Sequence, residues 1–208
     1  MYKFTVTALY DMPEAQTFLA QEEQRCYDSF KISKRKNDWA LGRYCLKTLI
    51  MKERDDLNFK DIEIAKKEDG SPEVKIKGNI ESSFNVSISH SNAVGAAALS
   101  ATSLIGIDLE KIEARSKAWA EFSFHPSEYD AESSDEFLTA LWAKKEAVVK
   151  YLGVGLSIGM HDVRFEPEGL KFYNRALEKW AALGAKQISL DISRDYAGFV
   201  VAVAYTKN

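Results

Sequence analysis

The chain has 208 residues, enough for one large domain or two small ones, and enough for a core that needs no disulfide or metal staple. With 46% hydrophobic and 28% charged residues, and only 11 glycines and 4 prolines, it reads as a soluble globular chain and excludes a collagen-like or low-complexity one. Its 28 basic and 31 acidic residues leave a net charge of -3, which argues against a general nucleic-acid binder.

In chain order, residues 2–9 alternate in part and predict a strand. Pro13 opens a predicted helix that runs to about Phe30, and a second helix spans roughly Ile32 to Lys52. Short strands follow around Ile62–Ile64 and Val74–Ile76, separated by the turn signal Asp69-Gly70-Ser71-Pro72. Three strand-like runs come next, Val86–His90, Val94–Leu99 and Leu104–Glu110. A short helix is expected after Arg115 and an interruption at His125-Pro126. Ser133 or Ser134 then caps a strong helix that ends near Leu152, ahead of Gly153 and Gly155. The rest reads strand (Val163–Phe165), strand (Leu170–Tyr173), helix (Arg175–Leu183), strand (Gln187–Ile192) and strand (Gly198–Tyr205). The order predicts an α/β or α+β chain with two similar halves. Trp39-Ala40 with Arg43 and Lys47 returns 103 residues later as Trp142-Ala143 with Glu146 and Lys150, which supports a duplication.

Cys26 and Cys45 lack the spacing of a zinc site or a disulfide framework. The N-terminus lacks the apolar stretch of a signal peptide, and no run approaches the roughly 20 apolar residues that span a bilayer. The expectation is a soluble, cytoplasmic protein with no membrane and no nucleic-acid partner.

Four constellations carry candidate chemistry. In Leu104-Ile-Gly-Ile-Asp-Leu-Glu110, strand alternation sets Ile105, Ile107 and Leu109 on one face and Asp108 and Glu110 on the other. Two such carboxylates suit a hard divalent cation that keeps open positions for phosphate. In the helix Trp142–Lys150, Lys145 falls inside the apolar face and needs a partner, either a bound phosphate or an acid in the core. Glu146 and Lys150 lie on its edge. In Phe84–Ser91, Val86, Ile88 and His90 share one face, and Ser87, Ser89 and Ser91 the other; hydroxyls and an imidazole at a strand end can bond phosphate oxygens. Residues 31–54 are strongly basic and hold Arg35, Gly42 and Arg43, with Gly42 serving close packing or close approach of a ligand.

Taken together, these pieces resemble the 4′-phosphopantetheinyl transferase superfamily, in particular its Sfp-type (surfactin-synthetase-activating) branch. The resemblance runs from about Arg35 to Leu156. It rests on Gly106-Ile107-Asp108-Leu109-Glu110, Trp142-Ala143-Lys144-Lys145-Glu146-Ala147-Val148-Val149-Lys150, Gly153-Val154-Gly155-Leu156, the Asn85–Ser91 element, Gly42-Arg43, and Phe124 with Glu128. It implies two pseudo-twofold-related α/β lobes, 1–100 with the coenzyme A contacts and 101–208 with the magnesium and catalytic acids. The implied activity is Mg-dependent transfer of 4′-phosphopantetheine from coenzyme A to a serine of an apo acyl or peptidyl carrier protein; with both halves in one chain, a monomer suffices to make the cleft. By the same resemblance Asp108, Glu110 and Glu146 ligate magnesium, Glu146 takes the serine proton, and Lys145 and Lys150 stabilise pyrophosphate. Ser89, His90, Arg43 and Arg35 then contact coenzyme phosphates. Where the family often has Gly-Lys-Pro, this chain has Gly70-Ser71-Pro72, with Lys75 and Lys77 as nearby substitutes. A catalytically silent relative that binds coenzyme A or a carrier protein is the alternative.

Overall fold

The structure is a computed structural model that describes residues 1–155 and 158–207. The first half runs β1 (Tyr2–Ala8), α1 (Ala15–Phe18), α2 (Gln21–Ser29), α3 (Ser33–Glu53), β2 (Ile62–Lys66), β3 (Pro72–Ile76), β4 (Asn79–Ile80), β5 (Asn85–Ser91) and β6 (Val94–Ser100). The second runs β7 (Ile105–Lys111), α4 (Lys117–Ser123), α5 (Asp135–Leu152), β8 (Val163–Glu166), β9 (Gly169–Phe172), α6 (Asn174–Ala182), β10 (Ile188–Ser193) and β11 (Phe199–Thr206). Ser134 caps α5 by accepting the Phe137 N–H, and Gly153 ends it in the left-handed conformation. No helix among the described residues is long and apolar enough to cross a membrane.

The one helix expected from Pro13 to Phe30 is two. The chain turns extended at Leu19 and Ala20, where one long-range bond to Phe18 and a local cap at Ala20 stand in place of helical ones. The Phe18 carbonyl accepts from the Lys47 ammonium, and the Ala20 N–H donates to Glu23.

Two antiparallel sheets form the centre, with strand orders β1-β6-β5 and β7-β11-β10. Matching first to first and last to last, both halves run strand, helices, hairpin and two strands, the first adding β4 to its hairpin and the second adding α6 after it. The sheets pack face to face through Ala96 and Ala98 of β6, Ile107 and Leu109 of β7, and Val201 and Val203 of β11. The opposite face of β6, with Ala97 and Leu99, is covered by Leu41, Cys45 and Leu49 of α3. Gly42 belongs to this packing: a Cβ there would lie 2.5 Å from Ile88 Cγ2.

The duplication reaches individual hydrogen bonds. Lys47 of α3 is fully buried and donates to Glu23, to the Phe18 carbonyl (2.8 Å) and to the Phe59 carbonyl (3.2 Å). Lys145 of α5 is equally buried and donates to Glu128 (2.5 Å), the Ser123 carbonyl (3.4 Å) and the Met160 carbonyl (2.9 Å). Glu23 accepts the N–H of Ile64 in β2, and Glu128 accepts the N–H of Phe165 in β8 (2.9 Å each). Lys47 therefore corresponds to Lys145. The repeat read at Trp39 and Trp142 had set it against Lys150, so the duplication holds but its helical register shifts by five residues. Periodicity alone cannot choose between lysines one turn and a little apart; the buried acid does.

β7 alternates as expected, with Ile105, Ile107 and Leu109 toward the other sheet. Its other face lies under α5. At Gly106 the helix comes so close that a Cβ would lie 2.0 Å from the Ala147 carbonyl oxygen and 2.5 Å from the Tyr151 nitrogen. Both are backbone atoms, so no side chain can yield. Gly106→Ala is expected to destabilise the fold by about 2–3 kcal/mol, read as a lower urea midpoint at unchanged slope. A midpoint equal to wild type would mean the helix does not lie this close.

Candidate functional site

The close approach at Gly106 brings the next residues on that face of β7, Asp108 and Glu110, against the inner edge of α5, which supplies Glu146 and Lys150. Asp108 is 3% exposed. Its Oδ1 accepts from Lys150 Nζ (2.8 Å) and from Ser89 Oγ (2.7 Å), while its buried Oδ2 has no hydrogen-bond partner. Glu110 is half-buried; its Oε2 accepts from Ser91 Oγ (3.3 Å) and stands 3.5 Å from Arg115.

Burial, and then the Asp108 charge, raise the Glu110 carboxyl above its usual range. Glu146 is pushed up to about 7 by burial first, then by Asp108, with Glu110 adding and Lys150 opposing. Asp108 thus crowds both Glu110 and Glu146, with Lys150 on Asp108 and Arg115 on Glu110 as the neighbouring cations.

As they stand, no three His, Cys, Asp or Glu side chains among the described residues are gathered closely enough to hold a metal ion. The donor set nonetheless fits a hard divalent cation. All its donors are oxygens, one buried oxygen lacks a partner, and the mutual repulsion of Glu110, Glu146 and Asp108 is what a cation relieves.

The three serines of β5 spend their hydroxyls on β7. Ser87 Oγ accepts the Ile107 N–H (3.1 Å), Ser89 Oγ donates to Asp108, and Ser91 Oγ accepts the Lys111 N–H (3.4 Å) while donating to Glu110. They join the edge strands of the two sheets and hold the acids in place. Ser89, 5% exposed, was expected to touch a coenzyme phosphate; its hydroxyl is turned away from the groove toward Asp108. Lys145 was expected at the pyrophosphate and is likewise elsewhere, with its ammonium enclosed by Glu128 and two carbonyls. Of the two partners open to it by sequence, the core acid is the one present.

A groove leads away from the acids. One cavity of about 520 Å³ is lined by Glu146, Lys150, Ser87, Gly153 and Gly155 among others. A second, of about 530 Å³, is lined by Arg35, Arg43, Lys34, Trp39, Gly42 and His90. The two share Lys66, Gly70, Pro72 and Ile88. The turn between β2 and β3 roofs the junction by leaning on the second half: Cβ atoms at Gly153 and Gly155 would lie 3.9 and 3.6 Å from Asp69. Both glycines have positive φ (65° and 52°), so side chains there are strained as well. Leu156, which closes the Gly-x-Gly-Leu motif, lies outside the described residues.

The basic cavity contains the expected cations. Arg43 stacks 3.4 Å over the Trp39 ring, and its Nε stands 3.7 Å from Glu23; burial lowers its pKa to about 10. Arg35 is exposed, 5.2 Å over the Phe30 ring. His90 is exposed, yet desolvation lowers its pKa, with Lys150 and Lys34 adding and Asp38 and Asp108 opposing. It is therefore neutral near pH 7 and offers one N–H and one lone pair. Lys34, bonded to Asp38 (3.2 Å), and Lys66 are cavity residues that sequence reasoning missed. Lys66 is legible only once β2 is registered on β3, where it faces Pro72. Lys75 and Lys77 do not substitute at this groove: Lys75 pairs with Glu63 (3.2 Å), and neither residue lines either cavity.

A family model described as the 4′-phosphopantetheinyl transferase superfamily matches residues 104–204. The chain is 36% identical over 116 residues to the holo-(acyl-carrier-protein) synthase of Nitratidesulfovibrio vulgaris, covering 47% of this chain and 94% of that protein. It is 41% identical over 78 residues to the synthase of Halorhodospira halophila, covering 32% and 61%. Among solved structures, the holo-(acyl-carrier-protein) synthase of Neisseria meningitidis aligns with a TM-score of 0.37 and 24% identity, over 50% of this chain and 97% of that one.

Proposed function

The chain belongs to the 4′-phosphopantetheinyl transferase superfamily, and from that premise we propose that it transfers the 4′-phosphopantetheine group of coenzyme A to a serine of an apo acyl or peptidyl carrier protein, releasing adenosine 3′,5′-bisphosphate. The observation that carries the reading is a groove with a basic cavity at one end and the Asp108–Glu110–Glu146 cluster with Lys150 near the other. A ligand with a charged phosphate at one end and a reacting pyrophosphate at the other matches that polarity.

The serine oxygen forms a bond to the β-phosphorus, and the bond from that phosphorus to the oxygen of the departing bisphosphate breaks. The serine proton passes to Glu146, the carboxylate on the inner edge of α5 that lines the cavity. Lys150, 2.8 Å from Asp108, stands at the cluster to offset charge that builds on the leaving group. Arg35, Arg43 and His90 hold the coenzyme's far phosphate, and neutral His90 donates through its N–H. Magnesium, held by Asp108, Glu110 and Glu146, would neutralise the pyrophosphate. Ser89 acts on the acids by bonding Asp108.

We place the chain in the Sfp-type branch. The synthases it resembles match about half of it, and the remainder repeats the same strand order. The lobes divide as 1–100 and 101–208, and one chain supplies both, so a cytoplasmic monomer suffices. The test incubates purified protein with coenzyme A and a panel of apo carrier proteins, with and without magnesium, and reads intact mass. A magnesium-dependent gain of one phosphopantetheine is expected. No gain on any carrier that a known transferase modifies would leave the silent binding relative as the reading.

A further inference from the structure

We propose that Lys66 is a substrate-positioning cation at the waist of the groove, holding a coenzyme phosphate as the ligand passes from the basic cavity to the acidic one. The inference rests on the proposed transferase reading and deepens it. Four residues line both cavities, and Lys66 is the only one with a charged side chain; Pro72 and Ile88 are apolar walls, and Gly70 offers backbone. The register of β2 on β3 puts Lys66 opposite Pro72, at the base of the turn that roofs the waist. Its side chain folds back over that turn: a Cβ at Gly70 would lie 3.4 Å from Lys66 Cε and 3.9 Å from Nζ. A larger residue at 70 would take this space, and φ of +89° disfavours one in any case.

Three of the neighbouring cations are engaged, while Arg35 lies over the Phe30 ring in the basic cavity alone. Lys34 bonds Asp38, Lys150 bonds Asp108, and Arg43 lies against Glu23 and two carbonyls. Lys66 lies between them and is exposed. A compact ammonium on a flexible stem suits a phosphate that slides into place, as a point charge rather than a fixed fork. Position 71 is serine, and Ser71 Oγ bonds Asp69 (2.6 Å), so it does not supply that charge.

Lys66→Ala is expected to raise the KM for coenzyme A about tenfold, the scale of one charge-assisted hydrogen bond, and to leave kcat within about twofold. Lys66→Arg restores most of the loss, because charge is what the site needs. Lys67→Ala, next in the chain but lining neither cavity, keeps the wild-type KM. Calorimetric titration of coenzyme A into Lys66→Ala, without carrier protein, shows the same loss in Kd. An unchanged KM and Kd in Lys66→Ala, with wild type active, overturns the role of Lys66 and leaves the transferase reading intact. A wild type that binds no coenzyme A overturns both.

Discussion

Glu146→Gln lowers kcat about 10²–10⁴-fold, the range a positioned acid–base group contributes, and it makes the protein more stable at pH 8. The two effects have one origin. In the folded chain the Glu146 carboxyl is pushed up to about 7 by burial and by Asp108 and Glu110, whereas in the unfolded chain it has its ordinary value. Between those values the folded state binds more proton than the unfolded one. This group's contribution to stability is therefore largest below the unfolded pKa and is lost as pH rises through about 7. Glutamine has no charge to desolvate. Without divalent ions, the variant is expected to gain about 1–2 kcal/mol at pH 8 and almost nothing at pH 5. Melting curves at both pH values check this, with intact-mass transfer assays beside them. Equal melting of variant and wild type at pH 8 would show that the carboxylates do not crowd one another as described.

Glu128→Gln is expected to cost about 3–5 kcal/mol of stability, the penalty for leaving one member of a buried ion pair uncompensated. Lys145 is fully buried and sits 2.5 Å from Glu128, and burial already lowers its pKa against the pull of that carboxylate. Glutamine can still accept the Phe165 N–H, which keeps the link to β8, but its NH2 then faces the Lys145 ammonium and the His125 N–H, so the loss reports the missing charge and acceptor together. Adding Lys145→Met should recover part of the loss, since no unpaired charge remains, but the Ser123 and Met160 carbonyls then lose their donor. Glu23→Gln should cost a similar amount through Lys47, as its counterpart in the other half. Chemical denaturation of the three variants decides it. A Glu128→Gln protein within about 1 kcal/mol of wild type would sink the account.

Lys145 also shows where sequence reasoning stopped. Its place on an apolar helical face demanded a partner, and that demand was legible. Phosphate and core acid were equal solutions until α4 and the Glu128 loop were seen to fold over it. Ser89 is the same kind of case. Alternation put it opposite His90, but whether its face met a ligand or a strand depended on β7 lying beside β5, an edge-to-edge packing with no signature in either strand.

By itself the sequence determined the alternation of β7, which sets Asp108 and Glu110 on the face opposite Ile107 and Leu109, and the helix that carries Glu146 and Lys150 one turn apart. These follow from periods of two and 3.6 residues, which are local. It also carried the motifs of the family, whereas the repeat it offered at Trp39 and Trp142 pairs the wrong lysines. Tertiary structure decided which lysine is the structural one and which serines serve the acids. It also decided the helical register of the repeat and the place of Lys66 at the waist. Each depends on which residues distant in the chain share a buried contact, and burial of a charge or a hydroxyl leaves only the arrangement in which its partner is present.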